Sequence, residues 1–141
     1  MKFWDSSAVV PFVLTRPSGA ELLEVLDRDG TMLVWWGTPV ECTSAIARRE
    51  REGRLEIADA AAALSKLRQL ESRWHEVLPS PALRRVAERL LRMHPLRVAD
   101  SLQLAAAIIA AEHEPSTLEF VCLDQRLAEA ASREGFPVLS P

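Results

Sequence analysis

Short apolar runs alternate along this chain with longer stretches of helical spacing, and that alternation restricts what it can fold into. Strands separated by helices pair in parallel, because the crossover between parallel neighbours needs a helix-sized connection. Lys2 to Trp4 predicts a first strand that stops at Asp5, with Ser6 or Ser7 capping a helix that runs through Leu14. Pro17 and Ser18 open a second helix with Leu22, Leu23, Val25 and Leu26 on its apolar side, and Gly30 stops it. Met32 to Trp36 is short, apolar and bounded by Gly30 and Gly37, which predicts a buried strand. Thr38 then caps a helix that has Pro39 at its first position and runs to about Glu52, where Gly53 ends it.

The second half repeats the alternation. Ile57 to about Arg73 is amphipathic, with Ala61, Leu64, Leu67 and Leu70 on related faces. Trp74 to Leu78 predicts a short strand, Ala82 to Met93 a helix ended by Pro95, and Val98 to Glu112 an Ala-rich buried helix. Phe120 to Leu123 predicts a strand, Gln125 to Glu134 a helix, and Val138 with Leu139 a last strand. The expected architecture is one α/β domain over 1–141, a short parallel sheet between helix layers. The ligand crevice of such a sheet lies beyond the carboxyl ends of its strands.

Totals add little against this reading. The net charge of −3 gives no support for a nucleic-acid binder, although acidic catalytic groups lower a total without removing basic surface elsewhere. Lysine appears only as Lys2 and Lys66, so nearly all cations are Arg, which suits bidentate phosphate contact and equally reflects codon bias. Cys42 and Cys122 make no disulfide framework and read as free buried thiols, consistent with a reducing cytoplasm. The apolar run at Leu104 to Ala111 is too short to cross a bilayer, so no membrane role is expected. His75, His94 and His113 sit near element ends with no motif around them and read as surface residues.

Four carboxylates stand where such a sheet would build a site. Asp5 and Asp124 follow strands, and Glu41 and Asp100 fall in first helical turns. Singly, each is explained by capping or by the helix dipole, worth a few tenths to about 1 kcal/mol. Together they are harder to dismiss, because Asp100 lies in a helix with almost no polar face and Asp5 and Asp124 end strands of one sheet. Converging carboxylates repel one another and call for a cation. Oxygen-only ligation favours Mg²⁺ or Mn²⁺ over Zn²⁺, and the chemistry implied is phosphodiester hydrolysis.

Four segments carry a resemblance. Phe3-Trp4-Asp5-Ser6-Ser7-Ala8-Val9-Val10 is similar to the opening strand of the PIN-domain nucleases. Thr38-Pro39-Val40-Glu41, continuing through Ala45, Arg48 and Gly53 to Leu55, resembles their second acidic motif. Leu96 to Ala107, with Asp100-Ser101-Leu102-Gln103-Leu104-Ala105-Ala106, resembles the Asp-Ala-Leu-His/Gln-Leu-Ala-Ala helix, the most specific of the matches. Phe120 to Ala128, with Asp124, Ala130, Ala131 and Gly135, resembles the closing strand–Asp–helix motif. Within the family the chain looks most like the VapC toxins of VapBC toxin–antitoxin pairs.

The resemblance implies a metal-dependent endoribonuclease with Asp5, Glu41, Asp100 and Asp124 as its catalytic acidic site. Asp5 and Asp100 would be central Mg²⁺ or Mn²⁺ ligands, Glu41 and Asp124 looser ones, and Ser7 the hydroxyl that orients the site. Cys122 stands where the family often has Thr or Ser, which puts that supporting hydroxyl in question, and Ser101 stands where Ala is common. The resemblance further implies an RNA substrate, a VapB-like antitoxin partner and a homodimer. Val10, Phe12, Val13, Leu14, Leu22 and Leu26 are either its dimer surface or simply core. Arg97 and Arg126, beside proposed ligands, are candidates for substrate phosphate. Arg48, Arg49, Arg51, Arg54, Arg84, Arg85, Arg89 and Arg92 have Glu neighbours at helical spacing and read first as solvated faces. Two other readings stay open: a non-catalytic PIN-like binding module, and a phosphohydrolase using Asp5 as nucleophile. Ser7, where the latter needs a second Asp, counts against the phosphohydrolase.

Overall fold

The computed structural model describes residues 1–141. Five parallel strands, β1 (Lys2–Trp4), β2 (Met32–Trp35), β3 (His75–Val77), β4 (Phe120–Val121) and β5 (Val138–Leu139), form one sheet in the order β3-β2-β1-β4-β5. Seven α-helices cover it: α1 (Ser6–Val13), α2 (Pro17–Asp29), α3 (Thr38–Arg51), α4 (Ile57–Glu71), α5 (Pro81–Met93), α6 (Val98–Ala110) and α7 (Gln125–Arg133). The expected α/β sandwich with a parallel sheet is what the chain forms.

Successive strand residues feed opposite layers, as the pleat requires. Phe3, Trp35 and Phe120 pack under α5, α6 and α7, while Trp4, Val34 and Val121 pack under α1, α3 and α4. Both faces of the sheet are therefore covered, which explains why its strands read as unbroken apolar runs rather than alternating ones. No helix is long and apolar enough to cross a membrane.

The chain moves outward from β1 to β2 and β3, then returns to place β4 on the other side of β1. The carboxyl ends of β1 and β4 thus flank the topological switch point, where open parallel sheets form their ligand crevice. Asp5 and Asp124 lie at those two ends.

Several boundaries differ from the sequence expectations, each for a local reason. The cap of α1 is Asp5, whose Oδ2 accepts from the Ser7 N–H at 3.1 Å, rather than Ser6 or Ser7. Gly37 rather than Thr38 precedes α3, because the Thr38 hydroxyl is turned inward to accept from Gln103 Nε2 at 3.0 Å. A Cβ on Gly37 would lie 2.5 Å from Trp35 Nε1, so only glycine lets that indole pack beneath the turn. The fourth strand ends at Val121: the Cys122 N–H still donates to Leu139 O at 3.0 Å, but the N–H groups of Leu123 and Asp124 that follow donate to Ser7 Oγ instead of to a strand. The buried helix α6 stops at Ala110, and Glu112 and His113 turn the chain in the left-handed region at φ 53° and 61°.

His94 is not a surface residue. Its side chain is 6% exposed and pairs at 2.7 Å with Glu134, which also takes two bonds from Arg89 and so ties α5 to the end of α7. His75 and His113 are exposed, as expected. Val10, Val13 and Leu22 are buried core, which removes them from any dimer face.

Candidate functional site

Asp5 is the deepest of the four carboxylates, only 3% exposed at the end of the central strand. Its Oδ2 accepts from Ser7 N at 3.1 Å and faces the Cys122 thiol at 3.6 Å. Burial pushes its carboxyl up to about 6, with repulsion from Asp100 adding to the lift and bonds from Ser7 and Cys122 opposing it. Glu41, in the first turn of α3, is pushed up to about 7. Burial is again the largest cause, opposed by its bond from Gln103, with repulsion from Asp5 and Asp100 further raising it. Asp100, in the first turn of α6, is raised by burial and by Asp124, and drawn back by its backbone bond from Arg97 and by the charges of Arg97 and Arg126. These mutual effects link all four residues into one electrostatic cluster at the switch point.

Three of the four also serve as helix caps. Asp5 caps α1, Asp124 caps α7 through a 3.0 Å bond from Leu127 N, and Asp100 Oδ2 accepts from Arg97 N at 3.4 Å. The capping and the site readings are therefore not exclusive. Asp124 is exposed, Glu41 and Asp100 are half-buried, and Arg97 and Arg126 are exposed beside them.

Ser7 holds the two strand ends together. Its Oγ accepts from Leu123 N at 2.9 Å and Asp124 N at 3.2 Å, and lies 3.6 Å from Cys122 Sγ. The Cys122 thiol, at the position questioned for want of a hydroxyl, points at Asp5 Oδ2 and at the Asp124 carbonyl, 3.3 Å away. It takes up the hydroxyl's place as a weak donor. Burial raises both Cys122 and Cys42, so neither is a thiolate.

Sequence reasoning overlooked a second set of polar groups. Gln103 is fully buried on α6, and its Nε2 donates to Glu41 Oε2 at 2.8 Å as well as to Thr38. Ser6 Oγ donates to Glu41 Oε1 at 3.3 Å. Glu41 is thus held from α1 and α6 at once, in an orientation its own helix does not dictate. The signal was present: Gln103 is the one long polar side chain among Leu102, Leu104, Ala105 and Ala106.

As the side chains lie, no group of three or more His, Cys, Asp and Glu residues is arranged to hold a metal ion. The donor set nevertheless fits a hard divalent cation. It is oxygen-only and loses charge to burial and repulsion where no cation balances it. The fully buried Gln103 Oε1, beside Glu41, has no hydrogen-bond partner. Asp5 and Asp100 would be the residues to hold such an ion.

A cavity of about 850 Å³ lies away from this cluster, between α2 and α4 near the starts of β2 and β3. Phe12, Leu26, Met32, Leu70 and Trp74 line it, with Arg16 at its edge. The basic run after α3 is in part self-paired, as Arg54 and Glu52 show at 2.6 Å.

The chain is similar in fold to a solved structure, that of PAE2754 from Pyrobaculum aerophilum. The TM-score is 0.61 and the identity 23%, over 92% of this chain and 78% of that one. At that identity the likeness concerns the fold alone. No protein-family profile matches the chain, and no curated protein sequence does.

Proposed function

We propose that this protein is a metal-dependent endoribonuclease of the PIN type, and the toxin half of a toxin–antitoxin pair resembling VapBC. The observation that carries the reading is the gathering of carboxylates at the switch point of a parallel sheet: Asp5 and Asp124 at strand ends joined through Ser7, and Glu41 held by Gln103 of the helix that carries Asp100. Burying like charges together costs stability unless they serve a cation or a reaction. The two free buried cysteines agree with a cytoplasmic setting.

Each residue then has a task. Asp5 and Asp100 would hold a Mg²⁺ or Mn²⁺ ion, with Asp124 as a looser ligand. A divalent cation, when bound, lowers the pKa of an attacking water and offsets charge on the leaving oxygen. Glu41, kept in place by Gln103 and Ser6, accepts a proton from water at its Oε atoms. Ser7 keeps the Asp5 and Asp124 ends at a fixed separation, and Cys122 orients Asp5 Oδ2. Arg97 and Arg126 meet the RNA phosphate. A partner that inserts a cation into this cluster would inhibit it, which is the part expected of a VapB-like antitoxin.

The test is cleavage of RNA by purified, partner-free protein with Mg²⁺, with Mn²⁺ and with EDTA, alongside Asp5→Asn and Asp100→Asn. Cleavage that requires metal and both aspartates supports the reading. Well-folded protein that neither cuts a total RNA pool nor binds metal by calorimetry refutes it. A second reading, a PIN-like binding module without activity, draws on the capping roles of Asp5, Asp100 and Asp124, which give those residues a use without metal. It is the reading that the negative result would leave standing.

A further inference from the structure

Among the four tryptophans and four phenylalanines, Trp36 alone is exposed, with 52% of its surface open. It lies at the carboxyl edge of the sheet, between β2 and the first turn of α3 that carries Glu41. Strand register fixes its level. Lys2 faces Met32 and Phe3 faces Leu33, so Asp5 falls opposite Trp35, and Trp36 stands one position further on. With parallel strands about 4.8 Å apart and about 3.3 Å per residue, its backbone is roughly 6 Å from that of Asp5.

The indole is also held. Trp36 N donates to Val77 O at 3.0 Å, which fixes its backbone to the edge of β3. Its ring meets Trp35 edge-on, with centroids 6.3 Å apart and planes at 69°. Trp35 in turn is buried and wedged beneath Gly37, where no side chain fits. This contact braces the indole while about half of its surface stays open. Next to Trp36 in the register, Leu78 is 64% exposed, and Val40 on the following turn is 70% exposed. Trp36, Leu78 and Val40 together leave an apolar patch open at this edge, and a contiguous patch, unlike a single exposed residue, points to something that binds there.

We propose that Trp36 is a stacking platform for a nucleobase of single-stranded RNA, next to the phosphodiester presented to the carboxylate cluster. The inference rests on the nuclease reading and adds to it the conformation of the substrate. A base can reach an exposed ring only when it is unpaired, and single-stranded nucleic acid is held by aromatic stacking combined with backbone charge. The cluster, with Arg97 and Arg126 beside it, takes the backbone, and the indole takes a base close by. Stacking tolerates every base, so Trp36 selects for unpaired RNA rather than for sequence.

The experiment is a titration of the full-length protein with a short single-stranded oligoribonucleotide in EDTA, read by tryptophan fluorescence and anisotropy. Trp36→Phe and Trp36→Ala are run in parallel, and circular dichroism checks their fold. Wild type should show saturable quenching that Trp36→Phe loses while keeping most of the affinity. Trp36→Ala should bind roughly 5- to 150-fold more weakly, the range for the loss of one stacked base. Placing an abasic nucleotide at each position in turn should find one where wild type loses that factor and Trp36→Ala loses none. Equal binding by Trp36→Ala, or equal abasic losses in both proteins, overturns the inference even if wild type cleaves RNA. Quenching that depends on protein concentration and not on RNA assigns Trp36 to a protein contact and overturns it too. Wild type that binds and cuts no RNA removes both readings together.

Discussion

Replacing Asp5 by Asn is expected to stabilise the metal-free fold at pH 8. Asp5 is 3% exposed, and burial, more than its neighbours, lifts its carboxyl from an ordinary 3.8 to about 6. Between those two values the folded chain holds more protons than the unfolded one. Stability is therefore greatest at acidic pH, near the unfolded value, and falls as pH rises through about 6. A lift of that size corresponds to about 3 kcal/mol once the group is fully ionised. Glu41, lifted from 4.5 to about 7, adds a comparable loss that is complete only above neutrality. The two carboxylates repel each other, so the losses overlap, and the expected total between pH 5 and pH 8 is about 2–4 kcal/mol, set against a domain stability of about 5–15 kcal/mol. Asn keeps an oxygen to accept from Ser7 N and carries no charge. The variant should gain about 2–3 kcal/mol at pH 8, about half of that at pH 5 and almost nothing below about pH 3.5. Urea unfolding followed by circular dichroism in EDTA reads this directly. Adding millimolar Mn²⁺ should raise the midpoint of wild type at pH 8 and leave Asp5→Asn nearly unmoved. A wild-type midpoint that is flat between pH 5 and pH 8, or an Asn variant weaker than wild type at pH 8, would refute the reasoning.

Three further outcomes are expected. Gln103→Leu removes both donors that steer Glu41 and Thr38 but also the unpartnered Oε1, so stability should fall by only about 1–2 kcal/mol. Calorimetry should nonetheless show weaker Mn²⁺ binding, and Gln103→His, which keeps a donor, should restore part of it. Ser7→Ala leaves the Leu123 and Asp124 N–H groups without their acceptor, which should cost about 1–3 kcal/mol and speed amide exchange at those two residues. Gly37→Ala forces a methyl into the Trp35 indole and should lower stability by about 1–3 kcal/mol, with a change in tryptophan fluorescence reporting the displaced ring.

The order of strands and helices was legible because this sheet is buried on both faces. Its strands are continuous apolar runs, and Gly30, Gly37, Gly53 and Pro95 punctuate the chain where elements end. The four carboxylates were legible from their places after strands and at helix starts. What the sequence hid were contacts between residues far apart in it. Ser7 reaches Leu123, and Gln103 reaches Thr38 and Glu41, and no local pattern encodes a partner so distant. The same contacts explain the misplaced ends, since the chain leaves β4 where Ser7 captures the N–H groups of Leu123 and Asp124, and Thr38 gives up capping to receive Gln103. His94 was misread because its partner, Glu134, lies on another helix.

The bond from Leu123 N to Ser7 Oγ also bears on how the protein is made. The central strand is synthesised more than a hundred residues ahead of one of its two sheet neighbours, which begins at Phe120. Asp5 therefore leaves the ribosome long before the residues that close the site around it, and domains acquire their structure as units. A nascent chain carries most of the carboxylates but cannot assemble them until residues 120–124 have emerged. Whatever this cluster does, it cannot do before residues 120–124 have left the ribosome.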